Sequence, residues 1–170
     1  MGRMNMSCGD NGYFDECKDI KSDTEPAKVV HNEVIGLITV NEDPALSKMR
    51  RRGWYLASRC TVHVCNSRDM FVEYHPLSGH EVILDNKNHV EVAGIGSVVL
   101  RFTTGKVLTL SNVFHIPAIS KCLVSLGKLA KIGLSMSFDA GGVIIVEKNR
   151  QTVGEGYNED GLFRLRIVEE

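Results

Sequence analysis

Three residues that could do chemistry, Cys60, His63 and Cys65, stand close together in the sequence. A cysteine beside an imidazole can act as a thiolate nucleophile, and sets of Cys and His side chains can also bind metal ions. On an extended strand, His63 and Cys65 would share one face and Cys60 would lie opposite Cys65, so the pattern allows His63 and Cys65 to touch. A free cysteine is more often a small buried hydrophobic residue. We therefore predict neither a thiol enzyme nor a metal site from this cluster.

The remaining candidates lack the spacing that a known site requires. His80, His89 and His115 are scattered without metal-ligand spacing. The glycines of Gly94-Ile95-Gly96 have no third glycine and no following helix to form a dinucleotide loop. Ser58 lacks the flanking glycines of a serine-hydrolase elbow. The sequence thus predicts no cofactor and no metal.

Composition bounds the partners and the compartment. The net charge of -1 gives no general attraction to nucleic acid or to an anionic membrane. Apolar residues make up 43% of the chain, but no apolar run approaches the ~20 residues of a membrane span. The N-terminus does not read as a secretory signal. Five cysteines without such a signal indicate reduced thiols. We predict an intracellular protein, in the cytoplasm or the nucleus, without a membrane partner.

The chain divides by pattern into three zones. Residues 1–50 read as an N-terminal arm and linker, in which residues 8–25 suit disorder because they have many acids and lysines and few large apolar residues. An apolar patch at residues 34–40 has no assigned role. Residues 51–156 read as one all-β domain of short β-branched runs, and residues 157–170 as a further strand-like segment. One helix is predicted over residues 120–131 from apolar residues at three- and four-residue spacing. Hairpin turns are predicted at residues 103–106, 139–142 and 158–161.

Several ordered blocks resemble the protease region of copia-type retrotransposon Gag-Pol polyproteins. The first, Trp54 to Val64, is similar to the family's active-site pattern Trp-Tyr/Ile-Leu-Asp-Ser-Gly-Ala-Ser/Thr-x-His-Met/Val. The similarity continues in order through residues 66–71, 94–98, 108–117 and 122–126, and it ends near residues 161–165, which resemble the entry to a pre-integrase segment. The resemblance implies a plant retroelement and a small closed β-barrel of the retroviral-type acid protease half.

The resemblance also implies what is missing. Similar proteases are two-fold dimers in which each subunit supplies one Asp, and the pair shares a proton to activate water. The position of that Asp is Ala57 here, Ser58 is retained, and Arg59 replaces a glycine that would suit a tight turn of positive or unusual φ. The resemblance places the flap tip at Asp85, Asn86, Lys87 and Asn88.

The arm resembles a zinc knuckle that has lost ligands. In the family pattern Cys-x2-Cys-x4-His-x4-Cys, only Cys8 and Cys17 remain, while Asn5 and Tyr13 occupy the other two ligand positions. Zinc takes about four soft or imidazole ligands, so we predict no zinc binding and no nucleic-acid binding by the arm.

These residues lead to one functional hypothesis and two rivals. The first is a catalytically inactive aspartic-protease-like domain, a relic or a module for protein association, able to form a homodimer or a mixed dimer with a related protease. Its Arg59 would place like charges at a two-fold seam, which favours a monomer. The rivals are an active copia-type aspartic endopeptidase and a domesticated inhibitor of an intact relative that acts by mixed dimerisation.

Overall fold

The computed structural model describes the backbone of residues 29–35, 53–84, 89–141 and 143–168, and side chains in these ranges except 29–35 and 143–145. The described chain is mostly strands with one short α-helix, which confirms the all-β class. The strands are β1 (Val29–Ile35), β2 (Trp54–Ala57), β3 (His63–Cys65), β4 (Phe71–Pro76), β5 (His80–Leu84), β6 (His89–Glu91), β7 (Gly94–Arg101), β8 (Val107–His115), β9 (Cys122–Ser125), β10 (Leu134–Phe138), β11 (Val143–Lys148), β12 (Gln151–Glu159) and β13 (Leu162–Leu165). Helix α1 spans Leu126–Lys131, and a 3-10 helix spans Arg68–Met70.

Ten of these strands form one sheet, in the order β10-β11-β12-β13-β2-β9-β3-β8-β7-β4. Strand β9 lies between β2 and β3, although those two follow each other in the chain, and it runs parallel to β2 and antiparallel to β3. The end strands are not paired with each other in the described chain, so the order is that of an open sheet. Closure into a barrel therefore stays a prediction.

Buried and half-buried residues alternate along strand β7, as expected for a strand that packs one face against the core. Two clusters of buried side chains result. The first is centred on Trp54, Leu100 and Phe102, and the second on Tyr55, Val62 and Val64. Trp54 and Tyr55 of β2 thus pack in different clusters, since successive side chains of a strand point to opposite faces.

The predicted turns are confirmed where the structure describes them. Gly105 has φ 80° and its amide donates to the Phe102 carbonyl at 2.9 Å, which closes the β7–β8 hairpin. Asp160 and Gly161 have φ 53° and 82°, the pair of positive values that a type I′ turn requires. Asp139 Oδ1 accepts from the Gly141 amide at 2.9 Å between β10 and β11. These contacts are local, which is why residue types alone predicted them.

The predicted helix over residues 120–131 is wrong in its first half. Residues Cys122–Ser125 are a fully buried strand, and the helix begins at Leu126. The apolar spacing fitted a helix, but the parallel pairing of this segment with β2 overrides the local preference. Ser125 ends the strand and caps the helix.

The region predicted as an arm and linker contains one strand that the sequence did not predict. Residues Val29–Ile35 form strand β1, which pairs parallel with β5 in a separate three-stranded sheet of order β1-β5-β6. Four of its seven residues are Val or Ile, types that suit extended backbone. The other residues of the predicted arm lie outside the described chain. At the other end, β13 pairs with both β12 and β2, so the structure adds residues 162–165 to the large sheet.

Candidate functional site at the β2–β9 junction

The site that the sequence singled out lies where β2 ends. Ala57 is the last residue of β2 and is the register partner of Ser125, the last residue of β9. Ala57 is half-buried, while Ser58 and Arg59 form an exposed turn. Arg59 is not among the described non-glycine residues with positive φ, so the left-handed backbone expected for this position is not adopted. An arginine is accommodated here because its side chain points out of the core.

Ser125 joins the elements of this corner, and it was not predicted from the sequence. Its side chain is fully buried, and its Oγ donates to the Cys60 carbonyl at 2.6 Å. The same Oγ accepts from the Lys128 amide at 3.2 Å, which caps helix α1. One hydroxyl therefore connects the turn after β2 to the start of the helix.

His63 completes the corner. It is buried, and its Nδ1 accepts a hydrogen bond from the Ser125 amide at 3.1 Å. Burial, assisted by the positive charge of Lys128, lowers the pKa of His63 to about 4. The imidazole is thus neutral near pH 7 with its proton on Nε2, because Nδ1 is the acceptor.

The chemistry available at this corner follows from these contacts. The methyl group of Ala57 can neither take nor give a proton. The Ser125 hydroxyl donates to one backbone group and accepts from another. His63 Nδ1, the nitrogen that a general base would use, already accepts a hydrogen bond from the Ser125 amide. In this arrangement the polar side chains hold the backbone of the turn and the helix in place.

The predicted cluster of Cys60, His63 and Cys65 separates in the structure. Cys60 lies in the core cluster around Val62, whereas Cys65 lies in the cluster around Trp54. His63 accepts from the Ser125 amide. The Cys65 thiol donates to the Ser67 carbonyl at 3.4 Å and accepts from the Cys122 thiol, whose Sγ lies 3.5 Å away. Cys122 is 57 residues further along the chain, so only the strand register could have revealed it.

The three other candidate histidines, His80, His89 and His115, make contacts away from this corner. His115 Nδ1 lies 3.0 Å from the Tyr74 hydroxyl, and burial lowers the pKa of His115. His80 Nδ1 lies 3.1 Å from the Ser78 carbonyl, and His89 lies 3.4 Å from Glu81. Within the described ranges, no group of three or more His, Cys, Asp or Glu side chains could hold a metal ion. None of the helices described there is long and apolar enough to cross a membrane.

Two predicted sites fall outside the described chain. They are the flap tip, Asp85 to Asn88, and the knuckle positions Cys8 and Cys17. The strands on either side of the flap tip are described, and β5 pairs antiparallel with β6 up to Ile83 and His89. The flap tip itself stays a prediction, because residues 85–88 are not described.

Comparison with known proteins finds two similarities, each over part of this chain. Residues 54–134, which run from β2 through the helix to the start of β10, match the model of a family described as "Pol polyprotein, beta-barrel domain". The chain is also 25% identical over 107 residues to the "Retrovirus-related Pol polyprotein from transposon TNT 1-94" of Nicotiana tabacum. That match covers 62% of this chain and 8% of the tobacco polyprotein, so the chain spans a small part of that relative. No solved structure matches the chain. The two matches support a domain derived from a retrotransposon Pol polyprotein.

Proposed function

We propose that this is a catalytically inactive, copia-type aspartic-protease-like domain that retains the fold but not the chemistry. The single observation that supports the proposal is Ala57 at the end of β2, in register with Ser125. In a homodimer of similar proteases the two residues at this position form the catalytic carboxylate pair. Two methyl groups would replace it, and losing such a unit lowers the rate by about 10⁴–10⁶-fold.

The experiment is a peptide-cleavage assay at mildly acidic pH with the whole chain. We expect no cleavage by the natural protein. The matched variant carries Ala57→Asp together with Arg59→Gly, which restores the family's acid and its turn glycine. Cleavage by that variant, blocked by a pepstatin-like inhibitor, would show that the frame is otherwise competent. Pepstatin-sensitive cleavage by the natural protein would contradict the proposal.

We propose that the large sheet closes into a barrel through backbone contacts between strands that are not neighbours in the strand order. After β13 the chain bonds to the end of β7, through the antiparallel bridge of Phe102 with Ile167. The Thr103 amide donates to the Arg166 carbonyl at 3.1 Å, and the Val168 amide donates to the Arg101 carbonyl at 2.7 Å. These bonds join two strands that stand far apart in the sheet order, which is what closure of a curled sheet requires.

Protein association is the role that such a domain would keep. The exposed turn at Ser58 and Arg59 offers a hydroxyl and a cation where similar proteases meet their partner subunit. In a homodimer two Arg59 side chains would approach each other across the two-fold axis, and like charges oppose association. We expect the natural protein to sediment as a monomer and Arg59→Gly to shift it toward a dimer. A tight dimer of the natural protein would contradict this repulsion argument.

A second candidate, inhibition of an intact relative, is favoured by the same exposed turn. A mixed dimer would hold one catalytic Asp instead of two, and so could not share a proton between two carboxylates. The test is co-expression with an active copia-type protease, with cleavage of its substrate as the readout. Unchanged cleavage would remove this candidate without affecting the first.

A further inference from the structure

Two buried cysteines from distant parts of the sequence face each other across the β3–β9 pair. Val64 is the register partner of Leu123, so Cys65 and Cys122 are the next directly opposed residues of this antiparallel pair. Directly opposed residues have Cα atoms about 4.5–5.5 Å apart, within the range of about 4.4–6.8 Å that a disulfide spans. The two Sγ atoms lie 3.5 Å apart. A small rotation of one side chain would bring them to bonding distance.

The surroundings of the two thiols differ. The Cys122 thiol donates to Cys65 Sγ and also lies 3.3 Å from Asn66 Oδ1. The hydrogen bond from Cys122 lowers the pKa of Cys65, whereas the same bond and burial raise the pKa of Cys122. Cys65 is therefore the better nucleophile and Cys122 the neighbouring thiol that can resolve an oxidised sulfur.

We propose that Cys65 and Cys122 form a reversible disulfide that ties β3 to β9 when the protein meets a small peroxide. Hydrogen peroxide oxidises the Cys65 sulfur to a sulfenic acid and releases one water molecule. The Cys122 sulfur then attacks the Cys65 sulfur, forming the S–S bond and releasing a second water molecule. Two thiols and one hydrogen peroxide molecule thus give one disulfide and two water molecules. A dithiol reductant reverses the reaction by exchange.

The bond would reinforce the weakest junction near the site. Strands β2 and β9 share four register pairs, whereas β3 and β9 share one. Cys122 opens β9, and Ser125 ends the same strand with its bonds to Cys60 and His63. A covalent link between β3 and β9 therefore restrains the strand that positions the β2–β9 corner. This inference does not depend on whether the domain is catalytically active.

Both thiols are fully buried, so the oxidant must be small and must enter during local opening. The experiment treats the purified, reduced whole chain with hydrogen peroxide and removes the excess. The protein is then unfolded in the presence of an alkylating maleimide and mapped by peptide mass spectrometry. We expect a linked Cys65–Cys122 peptide pair, lighter by two hydrogens, that dithiothreitol abolishes. The oxidised protein should melt about 10 °C higher, because a disulfide that closes a long loop is strongly stabilising.

The controls separate this pair from general thiol oxidation. Cys60→Ala removes another buried thiol, and it should leave the linked peptide and the rise in melting temperature intact. Cys65→Ala or Cys122→Ala should abolish both. The linked peptide is measured in the natural protein, so the test stands even if a variant fails to fold. Recovery of Cys65 and Cys122 as alkylated thiols, as sulfinic acids, or linked to other cysteines would overturn the proposal.

Discussion

Ala57 and Ser125 are partners in the parallel register of β2 and β9, and each is the last residue of its strand. The hydroxyl of Ser125 bonds backwards to the turn after β2 and forwards to helix α1. These contacts do not involve the side chain at position 57. The hydrogen bonds that hold this corner together are therefore independent of the side chain at position 57.

Ser125→Ala should destabilise the domain by about 1–3 kcal/mol, because it removes a buried hydrogen bond and a helix cap together. The Cys60 carbonyl would lose its Ser125 donor, and the Lys128 amide would lose its acceptor. Urea unfolding followed by circular dichroism measures the change. Ser135→Ala, on the exposed face of β10, is the matched control and should change stability little. Equal stability of both variants would show that the Ser125 contacts do not stabilise the corner.

His63 should make the domain less stable in acid. Its pKa is about 4 in the folded protein and about 6.5 in the unfolded chain. The unfolded state thus binds the proton first, and stability is fully present above about pH 6.5 and is lost progressively as the pH falls toward 4. The loss attributable to this residue is about 3 kcal/mol, obtained from the difference between the folded and unfolded pKa values.

The measurement for His63 is the free energy of unfolding at several pH values for the natural protein and for His63→Asn. The variant keeps a side-chain acceptor but has no titrating imidazole, so its stability should depend less on pH between 4 and 6.5. His75→Asn replaces an exposed imidazole and serves as the control. Parallel pH curves for the natural protein and His63→Asn would contradict the assignment.

Gly154→Ala should destabilise the domain strongly, because a Cβ at this position would lie 2.2 Å from the ring of Phe102. Phe102 is 1% exposed and cannot move without disturbing the core, so we expect a loss of about 1–3 kcal/mol from overpacking. Gly127 lies on the exposed side of helix α1, where a Cβ would meet only Ser125 Oγ at 3.8 Å. Gly127→Ala should therefore stabilise the domain by up to about 1 kcal/mol. Thermal melts of the two variants give the comparison. A Gly154→Ala protein as stable as the natural one would mean that the core around Phe102 yields easily.

Arg150→Gly should stabilise the β11–β12 hairpin. Arg150 has φ 62° and follows Asn149 with φ 52°, the two left-handed residues of a type I′ turn. A non-glycine residue in this backbone region is disfavoured by about 1–2 kcal/mol, so glycine should raise stability by about 1 kcal/mol. Arg150→Ala keeps the strained backbone and removes the charge, and it should give no such gain. A gain from alanine equal to that from glycine would assign the effect to charge instead.

Local sequence determined the strand class and the turns of this protein. Asp160-Gly161 and the turn at Gly105 could be predicted because a positive φ is a property of the residue itself and its nearest neighbours. The strand that ends at Ala57 was also visible in the sequence, since a short apolar run forms β2. The sequence could not say which distant segment would lie beside it.

Tertiary pairing decided the rest. Residues 122–125 had the apolar spacing of a helix. They form a strand because their backbone pairs with β2 on one side and with β3 on the other. The same insertion brings Ser125 to Cys60 and Cys122 to Cys65. Contacts between residues far apart in the chain depend on strand register, and register is set by burial over the whole sheet. The residue types were therefore visible in the sequence, but the pairs that they form were not.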